Sequence, residues 1–448
     1  MDFQKLLQKI KDFDKTEAII WRDKVFTYAW LDKAIQRWKH TLLELNIKTG
    51  EVVEIEGDYS PATVALLLAL VDKGSIVVPM AKSSSSKKES FRKIAQIESS
   101  ISIDEKENVS CQTFSKNVNH PLLLQLKNNK HAGLILFSSG STGESKAIVH
   151  DWNLLLEKYK KPSKARRIMV FLLFDHIGGI NTLMHTLFNG GCVVIVKERT
   201  PLAVCELIDK YKVQVLPTSP TFLNLLLHSH LYQKYDLKSL ELITYGTEVM
   251  PEIILKRLHT LFPDVRLSQT YGLTEIGILK TQSKSSESLF MKIGDQENPI
   301  RINDGKLEIK ATTTMLGYLN AESPFTEDGW FKTGDLVEEE EGCLRIIGRS
   351  SDIINVGGEK VYPAQVENII EQMENVEDVV VTGEKSPVTG QIVKATVKLK
   401  QDENLMSFRK RMMGFCKNKL ALFEIPQKIV FVDKINYGER FKKSHKSC

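Results

Sequence analysis

The sequence predicts an α/β protein with a large N-terminal domain of doubly wound, mixed sheets and helices, followed by a small α+β domain. The chain has 448 residues, which is too long for one compact core, so two or more domains are expected. Between residues 130 and 285, β-branched apolar runs alternate with runs of helical spacing, as in parallel β-α units. After Asp335 the pattern changes to short strands and two helices, enough for a domain of roughly 100 residues. We therefore assign residues 1–348 to the N-terminal domain and residues 349–448 to the C-terminal domain.

The individual elements follow from the periodicity of apolar residues. The predicted strands of the alternating region cover residues 167–174, 192–196, 213–216, 240–244 and 265–268, and its predicted helices cover residues 180–188, 202–211, 221–227 and 252–261. In the C-terminal domain, helices are predicted over residues 363–373 and 405–419, and strands over residues 378–382, 391–398 and 428–432. The apolar run 62–71 is too short to span a bilayer and predicts a buried helix.

Charge and composition argue against several classes of protein. The net charge of +5 is small for this length and does not indicate nucleic acid as the main partner. The N-terminus lacks the basic-then-apolar pattern of a signal peptide, and no apolar run is long enough for a membrane span. The six cysteines are scattered without CxxC spacing, which predicts structural thiols in a reducing, cytoplasmic setting. None of these features defines an oligomeric state.

The most informative stretch is the segment 137–146, which reads Phe-Ser-Ser-Gly-Ser-Thr-Gly-Glu-Ser-Lys after a strand-like apolar run. Its small side chains, backbone N–H groups, hydroxyls and single ammonium suit a polyphosphate. It is not the Walker loop, because Gly140 and Gly143 are too close together and Lys146 is followed by Ala147. Taken alone, the stretch is also compatible with a solvated Ser/Gly loop.

Five further motifs follow the loop in the chain. They are Tyr245-Gly246-Thr247-Glu248, Tyr271-Gly272-Leu273-Thr274-Glu275, Gly329-Trp330-Phe331-Lys332-Thr333-Gly334-Asp335, Gly348-Arg349-Ser350-Ser351-Asp352 and Gly357-Gly358-Glu359. In this order and spacing the motifs resemble the adenylate-forming superfamily, which comprises acyl-CoA synthetases, adenylation domains of peptide synthetases, and luciferases. The resemblance covers nearly the whole chain, from residue 26 to the last predicted strand.

The resemblance implies a reaction in two steps. A carboxylate attacks the α-phosphate of ATP to give an acyl-adenylate and pyrophosphate, and a thiol then displaces AMP. The implied cofactors are ATP, Mg²⁺ and either CoA or the phosphopantetheine of a carrier protein. The resemblance also implies that the small C-terminal domain is mobile and carries the catalytic lysine.

The resemblance assigns nucleotide-binding roles to individual residues. The β- and γ-phosphates would be held by the loop residues Ser138, Ser139, Gly140, Ser141, Thr142, Gly143 and Lys146. Gly246, Thr247, Glu248 and Gly272 would line the adenine slot, and Tyr271 would pack on the base. Thr274 would bind the α-phosphate, Glu275 would be the Mg²⁺ ligand, Asp335 would accept the ribose hydroxyls, and Arg349 would reach the ribose or a phosphate.

The C-terminal domain supplies the remaining assignments. Counting along the tail from the last predicted strand places Lys442 in the position of the catalytic lysine, with Lys443 and Arg440 as alternatives. A cation there would offset charge that develops near the α-phosphate, whereas a frayed basic terminus is the alternative interpretation. Ser351 falls at the position of the hinge. Gly357 and Gly358 would face the thiol after the domain rotates.

The acid is expected to bind near the segment 174–180. His176 with the following Ile-Gly-Gly is similar to the form found in acyl- and aryl-CoA synthetases, so His176 would wall the carboxylate site and act with Thr274, Glu275 and Lys442 in catalysis. The predicted pocket residues are His176, Gly179, Ser219, Gly246, Gly272, Ile276 and Gly277. Their small or apolar character suits an uncharged acyl or aryl group. In another alignment, Asp175 would bind the ammonium group of an amino acid.

The leading interpretation is therefore an AMP-forming acyl-CoA synthetase, that is, an ATP-dependent acid–thiol ligase. The chain ends soon after Lys442, so a carrier protein, if it is the acceptor, would be a separate partner. One alternative is a stand-alone amino-acid adenylation protein that loads such a carrier. Another is a non-catalytic nucleotide-binding homologue, because the tail lacks the usual Gly-Lys pair.

Overall fold

A computed structural model describes residues 3–81, 87–114, 117–139, 145–435, 437 and 443. The helices are α1 (Phe3–Phe13), α2 (Tyr28–Glu44), α3 (Pro61–Asp72), α4 (Lys88–Ile94), α5 (Pro121–Asn129), α6 (Trp152–Leu156), α7 (Ile177–Phe188), α8 (Pro201–Tyr211), α9 (Pro220–Ser229), α10 (Glu252–Leu261), α11 (Pro363–Ile370) and α12 (Leu405–Cys416). Within this described part of the chain, no helix combines the length and apolar character needed to cross a bilayer.

The strands of the first two sheets come mostly from the first 270 residues. They are β1 (Glu17–Trp21), β2 (Lys24–Thr27), β3 (Val52–Glu56), β4 (Ile76–Met80), β5 (Ser99–Ile103), β6 (Val109–Thr113), β7 (Gly133–Ser139), β8 (Ser145–Asp151), β9 (Arg167–Val170), β10 (Cys192–Ile195), β11 (Val215–Thr218), β12 (Leu242–Tyr245) and β13 (Arg266–Gln269). The first sheet has the order β13-β12-β11-β9-β10-β1-β2 and is parallel except for the β1–β2 hairpin.

The later strands complete the N-terminal domain and build the C-terminal one. They are β14 (Gly272–Leu273), β15 (Gly277–Ile278), β16 (Thr281–Ser283), β17 (Met291–Ile293), β18 (Ile300–Asn303), β19 (Lys306–Ile309), β20 (Gly317–Tyr318), β21 (Phe331–Glu340), β22 (Cys343–Arg349), β23 (Ile354–Val356), β24 (Glu359–Val361), β25 (Val376–Ser386), β26 (Gly390–Leu399) and β27 (Lys428–Phe431). The second sheet, of order β20-β8-β7-β4-β3-β5-β6, is mixed, and the third, of order β16-β17-β22-β21-β19-β18, is antiparallel.

The first two sheets share a core of helices. Side chains of α1, α2, α3 and α7 pack in one apolar cluster with residues of both sheets, such as Ile19 and Val193 of the first and Val53 of the second. Every residue of α3 from Thr63 to Val71 is buried, which confirms the predicted buried helix. Ser60 caps this helix by accepting from the Thr63 N–H, and Pro61 occupies its first turn.

The C-terminal domain has its own sheet and core. Strands β24, β23, β26 and β25 are antiparallel neighbours, and β27 pairs in parallel with β26. Val366 of α11 and Phe408 of α12 belong to the core on this sheet. The predicted fold class, a large α/β domain followed by a small α+β domain, is confirmed. The chain leaves the third sheet at Arg349 and enters the C-terminal sheet after the 3₁₀ turn Ser350–Asp352, next to the boundary proposed at residue 349.

The main departure from the predicted elements lies between β9 and α7. The predicted strand 167–174 ends at Val170, and the helix expected from residue 180 begins at Ile177. The Gly178-Gly179 pair is inside the helix. A Cβ on Gly179 would lie only 2.2 Å from the Leu173 carbonyl oxygen, so a larger residue would not fit there. These glycines therefore permit close packing of α7 on the preceding loop rather than interrupting the helix.

Candidate active site

Two adjoining cavities lie where the sheets and the two domains meet. The large cavity, of about 760 Å³, is lined mainly by the N-terminal domain and also by Arg349, Ser350 and Ser351. The interdomain cavity, of about 460 Å³, is lined by residues of both domains, for example Gly246 and Asn368. The two linings share Gly246, Thr247, Thr270, Gly272, Leu273 and Arg349, so the cavities meet at these residues.

The segment predicted to bind phosphates joins the antiparallel strands β7 and β8. Ser138 is paired with Lys146 across this hairpin, and both residues line the large cavity. The Lys146 ammonium lies 4.9 Å from the centre of the Tyr318 ring. The predictions for Gly140, Ser141, Thr142 and Gly143, and for the side chain of Ser139, lie outside the described residues, as does that for Lys442. The described ends of the hairpin thus direct a hydroxyl and an ammonium towards one cavity.

Thr274 and Glu275 form the turn of the short β14–β15 hairpin and also line the large cavity. The Glu275 carboxylate accepts a hydrogen bond from Tyr318 Oη at 2.9 Å, and its backbone carbonyl accepts from the Met315 N–H at 2.7 Å. Glu275 is therefore held at both its backbone and its side chain. Tyr318 was not predicted as a site residue, and its position on β20, beside β8, explains its contact with both Lys146 and Glu275.

His150 is a second residue that sequence reasoning missed. It is fully buried on β8, and burial lowers the pKa of its imidazole to about 4, so the ring is neutral near pH 7. The neutral ring donates from Nε2 to the Thr274 carbonyl oxygen at 2.6 Å. Lys146 and His150 are four residues apart on one strand and so face the same side of it. This alternation was the signal that could have identified His150.

A carboxylate and two donors line the interdomain cavity, and one of the donors, Arg349, also lines the large cavity. Asp335, only 4 % exposed, accepts from Tyr271 Oη at 2.6 Å and from Arg349 Nε at 3.0 Å. Burial and the neighbouring Asp335 raise the pKa of Tyr271 well above its usual value, so its phenol remains a donor. Asp335 and Arg349 are cross-strand partners on β21 and β22. The structure therefore brings together three residues that were predicted from separate motifs.

The motif Gly246-Thr247-Glu248 follows β12 and lines the interdomain cavity. A Cβ on Gly246 would lie 2.6 Å from Thr270 Oγ1 and 2.8 Å from the Thr270 carbonyl oxygen, so only glycine fits there. Thr247 has a φ of +75°, an unfavourable conformation for a β-branched residue. The Glu248 carboxylate accepts from the Thr221 N–H at 2.7 Å, and burial raises the pKa of this carboxyl. Glu248 thereby joins the adenine-slot motif to the first turn of α9.

His176 begins α7 and faces the large cavity. Its Nδ1 accepts from the Gly178 N–H at 3.0 Å, so the ring caps the helix while lining the cavity. The cavity lining in this region is mainly apolar; it includes Phe171, Leu172, Leu173, Ile177, Pro217 and Thr218. Gly246 and Gly272 of the predicted pocket also line the cavity.

Four other predicted pocket residues lie away from the lining of the large cavity. Gly179 packs against Leu173, and Ser219 caps α9 by accepting from the Phe222 N–H at 3.2 Å. Ile276 is fully buried in an apolar core cluster, and Gly277, with a φ of +75°, makes the turn into β15. These four residues therefore have roles in packing, capping and turns of the elements around the pocket.

The C-terminal assignments occupy three separate places. Ser351 is exposed in the 3₁₀ turn between the domains and lines the large cavity. Gly357 and Gly358 form the β23–β24 turn with φ values of +62° and +98°, and they line neither cavity. Lys443, the alternative catalytic lysine, lines the interdomain cavity with its ammonium between Glu371 and Asp378.

The donor set also tests the predicted magnesium site. In the described ranges, no cluster of three His, Cys, Asp or Glu side chains could enclose a metal ion. Glu275 instead offers one carboxylate in a cavity that it shares with Ser138 and Lys146. Mg²⁺ is commonly bound by one or two carboxylates together with the phosphates of a nucleotide, so this donor set fits the ion.

These features define a two-domain α/β protein in which residues of separate motifs line two adjoining cavities, namely Ser138, Lys146, His176, Thr274, Glu275, Asp335 and Arg349. The chain matches the family model for the AMP-binding enzyme over residues 7–319 and the model for the AMP-binding enzyme C-terminal domain over residues 365–442. It therefore belongs to the AMP-binding enzyme family, and the predicted adenylate-forming superfamily is confirmed.

Several proteins of known activity are similar to this chain over two thirds or more of its length. A 2-succinylbenzoate–CoA ligase from Listeria monocytogenes serotype 4b is 25 % identical over 459 residues, covering 96 % of this chain and 95 % of that protein. An indoleacetate–CoA ligase from Aromatoleum aromaticum is 25 % identical and covers 67 % of this chain and 64 % of its own length. The o-succinylbenzoate CoA synthetase of Bacillus subtilis with its acyl-adenylate intermediate has a TM-score of 0.77 at 20 % identity, covering 98 % and 96 %. The predicted enzyme class, an AMP-forming acyl-CoA synthetase, is confirmed, and ATP, Mg²⁺ and CoA are the cofactors of this class.

Proposed function

We propose that this protein activates a small aryl or acyl carboxylic acid with ATP and transfers it to the thiol of CoA. The observation that carries the proposal is the convergence of Ser138 and Lys146, Thr274 and Glu275, and the Asp335–Arg349 pair on adjoining cavities beside His176. A carboxylate, an α-phosphate and a pyrophosphate leaving group need these groups close together, because charge develops at all three during the reaction.

In the first step, a carboxylate oxygen forms a bond to the α-phosphorus and the bond to pyrophosphate breaks. Lys146 and Ser138 would bind the departing phosphates, and the Thr274 backbone is held for the α-phosphate by His150. Glu275, oriented by Tyr318, would hold Mg²⁺, which neutralises phosphate charge when it is bound. In the second step, the thiolate sulfur attacks the acyl carbon and AMP departs with the bonding electrons.

The wall around His176 supports an uncharged, preferably aryl, acid. Phe171, Leu172 and Pro217 present apolar surface, and Thr218 adds a hydroxyl. Asp175, which would bind the ammonium of an amino acid in the second alignment, does not line the large cavity. The names of the similar ligases, for succinylbenzoate and indoleacetate, denote acids that contain an aryl ring; indoleacetate has no other charged group, whereas succinylbenzoate keeps a second carboxylate.

Acid-dependent exchange of labelled pyrophosphate into ATP tests this function. We expect exchange with aryl or acyl acids, and formation of the corresponding thioester when CoA is added. Exchange with amino acids alone would instead support the amino-acid adenylation protein. Transfer to a separate carrier protein but not to CoA would show that the acceptor is the carrier protein and not CoA. Absence of exchange with every acid would favour the non-catalytic homologue. A cytoplasmic location and the boundary between residues 348 and 349 stay predictions of the sequence.

A further inference from the structure

The described tail residue Lys443 is held in a buried acidic pocket of the C-terminal domain. Its ammonium lies 2.6 Å from Glu371 Oε1 and 2.9 Å from Asp378 Oδ1, and it donates to the Val379 carbonyl oxygen at 2.9 Å. The Lys443 side chain is 10 % exposed, and those of Glu371 and Asp378 are 5 % and 4 % exposed. The three acceptors fix the position of the buried ammonium. Removing the lysine would leave buried carboxylates without a compensating positive charge.

The pocket binds a second residue of the tail. Tyr437 donates its hydroxyl to the other carboxylate oxygen of Asp378. Asp378 thus contacts both described tail residues, which are six positions apart in the chain, and also accepts from its neighbour, the Val379 N–H, at 2.8 Å. The acidic pocket therefore holds Tyr437 and Lys443 against the same carboxylate of β25.

The same lysine also contacts the N-terminal domain. Its backbone N–H donates to Glu248 Oε2 at 3.1 Å, and the other oxygen of Glu248 accepts from the first turn of α9. A second interdomain hydrogen bond runs from the Glu252 N–H, at the start of α10, to Asn368 Oδ1 of α11 at 2.9 Å. Lys443 is consequently bound to both domains at the edge of the interdomain cavity.

The position of Lys443 separates it from the chemistry. Its ammonium faces Glu371 and Asp378 of the C-terminal domain, so it does not offer a free cation to a nucleotide in this arrangement. Lys443 lines the cavity that also holds Gly246 and Asp335, whereas Gly357 and Gly358, predicted to face the thiol, are exposed and line neither cavity. This arrangement therefore serves the nucleotide step rather than the thiol step.

We propose that Lys443 is a positioning residue, which latches the C-terminal tail to both domains in the arrangement used for adenylation. The tail latch consists of Lys443, Glu371, Asp378 and Glu248. The neighbouring Lys442 keeps the proposed catalytic role, and this proposal rests on the proposed function in that respect. Release of the latch would be required before the C-terminal domain turns Gly357 and Gly358 towards the thiol.

Hydrogen–deuterium exchange of the full-length protein tests the latch without reference to activity. We expect Lys443→Met to increase hydrogen exchange in tail peptides and in the segment 245–252. The exchange rate should rise by about tenfold at the most strongly protected amides of these peptides. Glu371→Gln keeps the shape of the pocket and should have the same effect at pH 8. Lys417→Met, an exposed lysine at the end of α12, is the matched control and should leave exchange unchanged. Unaltered protection in both pocket variants would overturn the proposal.

The two half-reactions then distinguish positioning from general stability. We expect Lys443→Met to lower the kcat of pyrophosphate exchange about tenfold with a nearly unchanged KM for ATP. Thioester formation from supplied acyl-adenylate should keep the wild-type rate, and Lys443→Arg should restore part of the exchange activity. Equal losses in both half-reactions would contradict the latch. If the wild-type protein exchanges with no acid, the proposed function fails, and amide protection alone decides on the latch.

Discussion

Glu275, the proposed Mg²⁺ ligand, is held in position by a neighbouring side chain. The carboxylate is held by Tyr318 Oη, while the adjacent Thr274 carbonyl is held by His150. The positions of both groups are therefore set before a ligand arrives, which lowers the cost of organising them during the reaction.

We expect Glu275→Gln to reduce pyrophosphate exchange about 100-fold and to raise the Mg²⁺ concentration needed for half-maximal rate, because an amide is a weaker ligand for the ion. Pyrophosphate exchange at graded Mg²⁺ concentrations measures both effects. Glu322→Gln changes an exposed glutamate and should leave them as in the wild type. A Glu275→Gln enzyme with wild-type Mg²⁺ dependence would show that another group binds the ion.

Thr247, within the motif proposed to line the adenine slot, has a strained backbone conformation. Its φ of +75° costs on the order of 1 kcal/mol or more for a β-branched residue, whereas glycine adopts it freely. Thr247→Gly should therefore stabilise the protein by about 1 kcal/mol in denaturant unfolding. Thr260→Gly, on the exposed side of α10, should instead destabilise it slightly, since glycine is a poor helix former. Loss of stability in Thr247→Gly would contradict the strain.

At the scale of elements, α7 depends on close approach to the loop before it. Gly179 would bring a Cβ within 2.2 Å of the Leu173 carbonyl oxygen and 2.6 Å of Tyr59 Oη. We expect Gly179→Ala to destabilise the protein by about 1–3 kcal/mol and to disturb acid binding through His176. Chemical unfolding and the KM for the acid measure these effects.

Gly414 provides the matched control for that prediction. It also lies within a helix, α12, but a Cβ there meets no atom within 4 Å. Gly414→Ala should stabilise the protein by about 0.5–1 kcal/mol, because alanine favours the helix. If both alanine variants shifted stability in the same direction, helix propensity rather than packing would govern α7.

The sequence was a good guide to elements whose pattern is local. The bounds predicted for α10 agree with the structure, and those for α8 differ by one residue, because their apolar spacing is regular. The beginning of α7 was predicted too late, since Gly178 and Gly179 indicate a break unless the contact with Leu173 is known. Helix starts that depend on tertiary packing are not encoded in periodicity.

The site shows the same division. Motif order predicted that Thr274, Asp335 and Arg349 would meet, and they do line the adjoining cavities. The contact of His150 with Thr274 joins residues 124 positions apart, and that of Lys443 with Glu371 joins residues 72 apart. Pairings over such separations depend on the fold, so the residues alone could not reveal them.

At the scale of the whole molecule, the acidic pocket makes stability depend on pH. Burial raises the pKa of Glu371 to about 7, although the facing Lys443 lowers it; Asp378 and Glu367 raise it further. At Glu371 the folded state therefore binds more proton than the unfolded chain between about pH 4.5 and 7, and the contribution of this residue to stability falls as pH rises through this window.

We expect Glu371→Gln to remove this pH dependence. Wild-type protein should lose stability relative to Glu371→Gln between pH 5 and pH 8, as measured by unfolding midpoints in denaturant. At pH 8 the variant should equal or exceed the wild type in stability while its tail is less protected from exchange. A wild-type advantage that grows with pH would show that the ion pair with Lys443 outweighs burial.

The Asp335–Arg349 pair has a mechanical consequence for the two domains. Arg349 ends β22, and the 3₁₀ turn that leads to the C-terminal domain starts at the next residue. The pair is thus the last cross-strand pair between β21 and β22 before the chain enters the turn to the C-terminal domain. If the hinge is at Ser351, as we propose, the C-terminal domain would rotate while Asp335 and Arg349, the proposed ribose contacts, keep their positions. The proposed nucleotide site would then be undisturbed by the rotation, although β22 leads directly into the turn between the domains.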